Sequence, residues 1–71
     1  MNDAYTVRVP AIHGMLAALH HVPGLLAPPL LDAETSDHAH WALVLVYDTP
    51  AHGVEALDVA AAHVARMAGT L

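Results

Sequence analysis

The fold of this chain is decided by its most apolar stretch, which spans residues 38–47 and has the sequence HAHWALVLVY. Successive side chains of an extended strand point to opposite faces of a sheet. One face would carry His38, His40, Ala42, Val44 and Val46, and the other Ala39, Trp41, Leu43, Leu45 and Tyr47. From residue 41 onward both faces are apolar, which is typical of a strand covered on both sides. The pattern predicts a central strand over residues 38–47.

The residues before this stretch predict a strand, a helix and an edge segment. Tyr5–Val9 alternates apolar and polar side chains, which indicates a half-buried strand. Pro10 ends that strand and suits the first turn of a following helix. The buried face of this helix is expected to hold Ile12, Met15, Leu16 and Leu19. Leu25–Leu31 contains two prolines, which cannot donate to a sheet, so we expect an edge strand or an extended arm.

The residues after the central strand predict a long second helix. Asp48 or Thr49 followed by Pro50 is a favourable helix start, and the helix is expected to end near Gly69. Its apolar stripe, which we expect to pack on the sheet, comprises Val54, Leu57, Ala61, Val64, Ala68 and Leu71. The side expected to face solvent comprises Glu55, Asp58, His63 and Arg66.

The order of these elements predicts one domain over residues 1–71, of the α+β class. It is the order of a ferredoxin-like βα(β)βα two-layer domain, in which two helices cover one face of a small sheet. The other face of the central strand then needs a cover. We expect a dimer or larger assembly, because a twofold interface places the same patch on both subunits. The alternative is a monomer whose proline-rich arm folds over the sheet.

The contact surface of this expected homo-oligomer lies on the central strand. Aromatic side chains are favoured as interface anchors. The predicted contact set is Trp41, Leu43, Leu45 and Tyr47, or the opposite set Ala42, Val44 and Val46. The function that follows is a small non-enzymatic module that associates with itself and can bind another protein.

The composition excludes several classes of partner and cofactor. The 71 residues include two Lys or Arg and seven Asp or Glu, with a formal net charge of −5 when histidine is neutral. Nonspecific nucleic-acid binding is disfavoured, because neutralising phosphates requires Lys and Arg. The absence of cysteine excludes disulfides, thiolate zinc sites and iron–sulfur clusters. The sequence lacks a signal-peptide pattern and an apolar run long enough to span a membrane, so we expect a cytoplasmic protein without a membrane partner.

Seven histidines supply the candidate metal site. His38 and His40 share one strand face and would hold a divalent transition metal such as zinc or nickel, with a third ligand from His52, His13 or a second copy. Such a site would lose its metal below about pH 6, as imidazole protonates. The alternative is a solvated strand end that carries two polar side chains.

Two segments resemble known domains. Residues 16–24, LAALHHVPG, look like the helix end and turn common in ferredoxin-like domains. Residues 38–57, with their apolar strand and Asp48-Thr49 turn, resemble the stress-responsive dimeric α/β-barrel family, here without the last strand. The resemblance implies protomers that pack sheet to sheet. Some members of that family are polyketide cyclases that use a His and a Tyr, and the resemblance makes His63 and Tyr47 the candidate acid/base groups.

Overall fold

The protein folds as a small two-layer α+β domain in the computed structural model, which describes residues 4–33 and 41–69. Its elements are strand β1 (Tyr5–Pro10), helix α1 (Met15–Leu19), strand β2 (Leu30–Asp32), strand β3 (Ala42–Tyr47) and helix α2 (Pro50–Gly69). Within these residues the strands form one antiparallel sheet in the order β1-β3-β2. The predicted fold class is confirmed, and this strand order is compatible with a ferredoxin-like arrangement without a fourth strand.

The central position of β3 is also confirmed. Tyr47 pairs with Tyr5 at one end of β1, and Ala42 pairs with Pro10 at the other. Alternate side chains of β3 face the helices and join the core, whose members are Val7, Val9, Met15, Leu19, Val22, Leu43, Leu45, Tyr47, Ala56 and Ala60. The predicted strand residues 38–40 lie outside the described residues. No helix among the described residues is long and apolar enough to cross a membrane.

Helix α1 is shorter than the sequence predicts, because its start is set by a glycine. Pro10 is the last residue of β1 and does not open the helix. Gly14 has a φ of 81°, a left-handed conformation that a right-handed helix cannot contain, so α1 begins at the next residue. Met15 and Leu19 are buried as expected, whereas Leu16 is half exposed.

Helix α2 has the predicted start and end, but its predicted buried face is wrong. The buried residues are Gly53, Ala56, Ala60 and His63, and the expected stripe is exposed at Val54, Leu57, Ala61, Val64 and Ala68. Leu71, the last member of that stripe, lies outside the described residues. A Cβ on Gly53 would overlap the ring of Tyr5, so the helix backbone approaches β1 closely. The face that packs on the sheet is therefore the one with the smallest side chains.

The segment Leu25–Leu31 lies at the sheet edge, as predicted, and pairs discontinuously with β3. Leu25 forms an isolated antiparallel bridge with Tyr47, and the Leu26 amide donates to the Val46 carbonyl at 2.9 Å. Regular pairing resumes only in β2, after the two prolines. The prolines lack amide hydrogens, which accounts for the interruption.

Candidate interaction site

An exposed apolar patch lies on the sheet face that points away from the helices. Leu26 and Leu30 are 56% and 68% exposed, and Val44 and Val46 of β3 are half-buried. Leu30 pairs with Val44, and Leu26 bonds to Val46 through its amide, so these side chains are cross-strand neighbours. We call these four residues the open-face patch.

An ion pair crosses the same face. Arg8 of β1 and Asp32 of β2 are joined by an Nη2–Oδ2 distance of 2.5 Å, although β3 runs between their strands. An exposed pair of this kind contributes about 0–1 kcal/mol to stability. The remaining charged side chains of the described residues lie on the turn after β3 and on α2. Over residues 4–33 and 41–69 the open face is therefore charge-balanced, although the whole chain has a formal net charge of −5.

A groove separates α1 from β2 on the helix side of the sheet. Its volume is about 610 Å³, and its lining includes Ile12, Met15, Leu16, Pro29, Leu31 and Trp41. A second recess of about 260 Å³ shares Leu16 and Pro29 with the groove and reaches His20. The groove exists because α1 is too short to cover the β2 side of the sheet.

The two predicted contact sets lie on opposite sides of the sheet. Leu43, Leu45 and Tyr47 are buried in the chain's own core, and Trp41 lines the groove. Only the opposite set, which comprises Ala42, Val44 and Val46, lies on the open face. Leu26 and Leu30 were not among the predicted contact residues. The signal that marks them is their place in an apolar edge segment beside the central strand.

His63 is buried, contrary to the expectation that it faces solvent. Its side chain joins α2 to the turn before α1, because Nε2 lies 2.7 Å from the carbonyl oxygen of His13. Nδ1 lies 3.4 Å from Nη2 of Arg66, and a guanidinium can only donate. Nδ1 is therefore the acceptor, and Nε2–H donates to His13. A Cβ at Gly14 would lie 3.0 Å from the imidazole Cε1, so the ring packs directly on this glycine.

His63→Ala is expected to destabilise the folded chain by about 1–3 kcal/mol, because it leaves the His13 carbonyl without its partner. His20→Ala is the matched control, since His20 is exposed, and its effect should be within about 0.5 kcal/mol. Urea unfolding at one fixed protein concentration measures both variants. Equal midpoints for the two variants would show that the His63 contact contributes nothing.

His52 bonds to the turn before α2 and, together with Asp48, packs on Gly24 in the segment after α1. Its Nδ1 lies 2.6 Å from Oδ1 of Asp48, and this hydrogen bond lowers the pKa of the Asp48 carboxyl. The His52 amide donates to Oγ1 of Thr49 at 3.2 Å, which caps the start of α2. Gly24, with a φ of 93°, packs beneath this pair, since a Cβ there would overlap the Asp48 carboxylate.

The structure does not bring Tyr47 and His63 together as an acid/base pair. Tyr47 pairs with Tyr5, whereas His63 contacts the turn beyond Pro10. Strand β1 covers five residue steps from Tyr5 to Pro10, or roughly 17 Å. Burial, followed by the charge of Glu55, raises the pKa of the Tyr47 phenol, which therefore stays neutral at pH 7. Both ring nitrogens of His63 already have partners within the chain.

The predicted metal residues His38 and His40 lie outside the described residues. The two candidate third ligands, His13 and His52, are far apart. His13 contacts α2 at His63. His63 lies eleven positions after His52, or about 16 Å along the helix axis. In residues 4–33 and 41–69, no three His, Asp or Glu side chains are grouped to hold a metal ion. Zinc or nickel binding stays a prediction from the sequence.

Comparison with protein-family models, with curated proteins and with solved structures found no match for this chain. The resemblance to the dimeric α/β-barrel family therefore stays a prediction from its motifs.

Proposed function

We propose that this protein is a self-associating interaction module in which two copies pack through the open faces of their sheets. The observation that carries this proposal is the open-face patch. Its four apolar side chains are neighbours on one face, and none of the described elements packs over them. Contiguous exposed apolar patches are common at protein–protein contact sites, so this patch supports the proposal.

The expected affinity follows from the area that remains to be buried. Leu26 and Leu30 are more than half exposed, so each gains about 1–2 kcal/mol on full burial, given about 1.5–3 kcal/mol for a whole side chain. Two copies supply four such leucines, and burial of the half-buried valines adds to the favourable free energy. The loss of translational and rotational freedom on association opposes this gain by at least about 4 kcal/mol. A dissociation constant in the micromolar range or weaker is the expected result.

The charges of the open face favour a second copy as the partner. Copies of an acidic protein repel each other, but the charged side chains that the described residues place on this face are one cation, Arg8, and one anion, Asp32. A twofold axis that passes between Arg8 and Asp32, over β3, carries the cation of each copy toward the anion of the other. In this arrangement the charges of the two copies are complementary, which favours a specific interface.

The test is the mass of the particle in solution as a function of concentration. Leu30→Asp should weaken self-association at least tenfold, because it places a carboxylate in the apolar patch. Leu16→Asp is the matched control, since Leu16 is also half exposed but lies in the groove on the other side of the sheet. Light scattering and sedimentation measure the masses, and circular dichroism checks that both variants are folded.

Two outcomes would contradict the proposal. The wild-type chain would have the mass of one copy at every concentration up to about 1 mM, where even a weak affinity of about −4 kcal/mol is visible. Alternatively, Leu16→Asp would dissociate the assembly and Leu30→Asp would not, which would place the contact in the groove.

A further inference from the structure

The groove and the recess beside it join into one long space on the helix side of the sheet. They share Leu16 on the α1 side and Pro29 on the edge side. The floor passes from Trp41 and Leu43 in the groove to Leu45 in the recess. From residue 41 to residue 45 an extended chain advances four steps, or roughly 13 Å. We call this space, which lies between α1 and Leu25–Leu31 above residues 41–45, the apolar trough.

Both walls of the apolar trough follow its floor from one end to the other. On the α1 side, Met15 lines the groove and Leu19 lines the recess. On the edge side, Leu31 lines the groove and Leu25 lines the recess. Leu25 and Leu31 are 41% and 53% exposed, and Leu16 is half exposed, so the walls have apolar surface left to bury. The apolar trough is therefore elongated and bounded on two sides, with a floor one strand wide.

The lining determines which ligand chemistry can occupy the apolar trough. Of the described residues that line it, none is an acid, a lysine or an arginine, and His20 in the recess is the one titratable side chain. A peptide has polar backbone groups along its whole length, and burying them without partners is costly. A hydrocarbon chain has no such groups. A ligand of this shape can therefore have its polar group only at the His20 end.

We infer that the apolar trough binds a free fatty acid of medium chain length, with its carboxylate at His20 and its methyl end at Trp41. An imidazole N–H can donate a hydrogen bond to a carboxylate. The ring of His21 packs edge-on against that of His20, with the ring centroids 5.8 Å apart, so a second imidazole lies near the head group. The groove alone, at about 610 Å³, has the volume of a typical small-molecule site.

Trp41 makes the orientation measurable, because it is the only tryptophan of the chain and it lines the groove. Bromine quenches indole fluorescence on close contact. Dodecanoic acid with bromine on its terminal carbon, titrated below the concentration at which it forms micelles, should quench Trp41 with a saturable curve. The isomer with bromine beside the carboxylate should compete for the site but quench little. Unlabelled dodecanoic acid should reverse the quenching.

Two leucine variants locate the site. Leu16→Asp should weaken binding at least tenfold, because it places a carboxylate on the wall that the groove and the recess share. Leu30→Asp is the matched control, since Leu30 is an exposed leucine on the open face, and it should bind as the wild type does. Circular dichroism checks that both variants are folded.

The contact with the head group is tested by a change of ligand as well as a change of residue. His20→Ala should weaken dodecanoic acid about three- to tenfold, the range for losing one hydrogen bond. Dodecanol has the same chain without the carboxylate, and its displacement of the brominated probe should be unchanged by His20→Ala. Equal weakening of both ligands would show that His20 only shapes the recess.

Each other result overturns a stated part of the inference. Stronger quenching by the isomer with bromine beside the carboxylate would reverse the orientation. The absence of saturable quenching, or equal binding by Leu16→Asp, would show that the apolar trough is not the site. Loss of binding in Leu30→Asp would move the ligand to the open face or make the site depend on self-association. A wild-type chain that binds the acid but stays a single copy would contradict the open-face dimer and leave this inference intact.

Discussion

Replacing Leu45 with alanine is expected to destabilise the folded chain by about 2–5 kcal/mol, the range for removing a buried leucine from a well-packed core. Leu45 is 2% exposed and lies in the middle of the central strand, beneath the helices. The total stability of a domain of this size is only about 4–10 kcal/mol, at 0.05–0.15 kcal/mol per residue. The variant should therefore unfold at a much lower denaturant concentration, or be unfolded without any.

The matched control for this variant is the next residue on the same strand. Val46 is half-buried on the open face, so Val46→Ala should lower the stability of the isolated chain by less than about 1 kcal/mol. Chemical denaturation of both variants at low protein concentration, where self-association is weak, measures the difference. Equal losses would show that the two faces of β3 are equally buried and would contradict the two-layer fold.

The second large effect concerns two glycines of α2, whose replacement by alanine should change the stability of the fold in opposite directions. Gly53→Ala is expected to be destabilising, because its new Cβ would overlap the ring of Tyr5. Overpacking of this kind costs about 1–3 kcal/mol, and displacing a ring that packs on the core belongs at the upper end of that range. The gain in helix propensity from glycine to alanine is only about 1 kcal/mol, so the steric term decides the sign.

Gly69→Ala is the control for Gly53→Ala. A Cβ on Gly69 would meet no other atom within 4 Å, so the propensity gain is unopposed. This variant should be neutral or stabilised by up to about 1 kcal/mol. Thermal unfolding of the two variants measures the difference. Stabilisation by both substitutions would show that α2 does not lie close to β1.

The elements that could be predicted from the sequence are those specified by a local pattern. The alternation in Tyr5–Val9 and the apolar run that ends at Tyr47 identify β1 and β3, because a strand has a period of two. Asp48-Thr49-Pro50 marks the start of α2 in the same local way. The late start of α1 was missed, because no local pattern marks the left-handed conformation of Gly14, and the His63 ring that packs on this glycine lies far along the chain.

The buried side of α2 was predicted wrongly for a different reason. Hydrophobicity favours the stripe of Val54, Leu57 and Val64, whereas close approach of the helix to the sheet favours glycine and alanine. The sequence contains both patterns, and periodicity alone does not say which one faces the sheet. The burial of His63 was not predicted for the same reason, and also because its partner His13 is distant in sequence.

The contacts of His52 and His63 have a consequence for how the chain can vary. Each histidine of α2 packs on one of the two left-handed glycines, Gly24 and Gly14, that bracket α1. Helix α2 therefore fixes the distance between the two histidines, which are eleven positions apart, or about 16 Å along the helix axis. The span from Gly14 to Gly24 has to match that length. Insertions or deletions within either span have to be matched in the other, whereas changes of length elsewhere are free of this restriction.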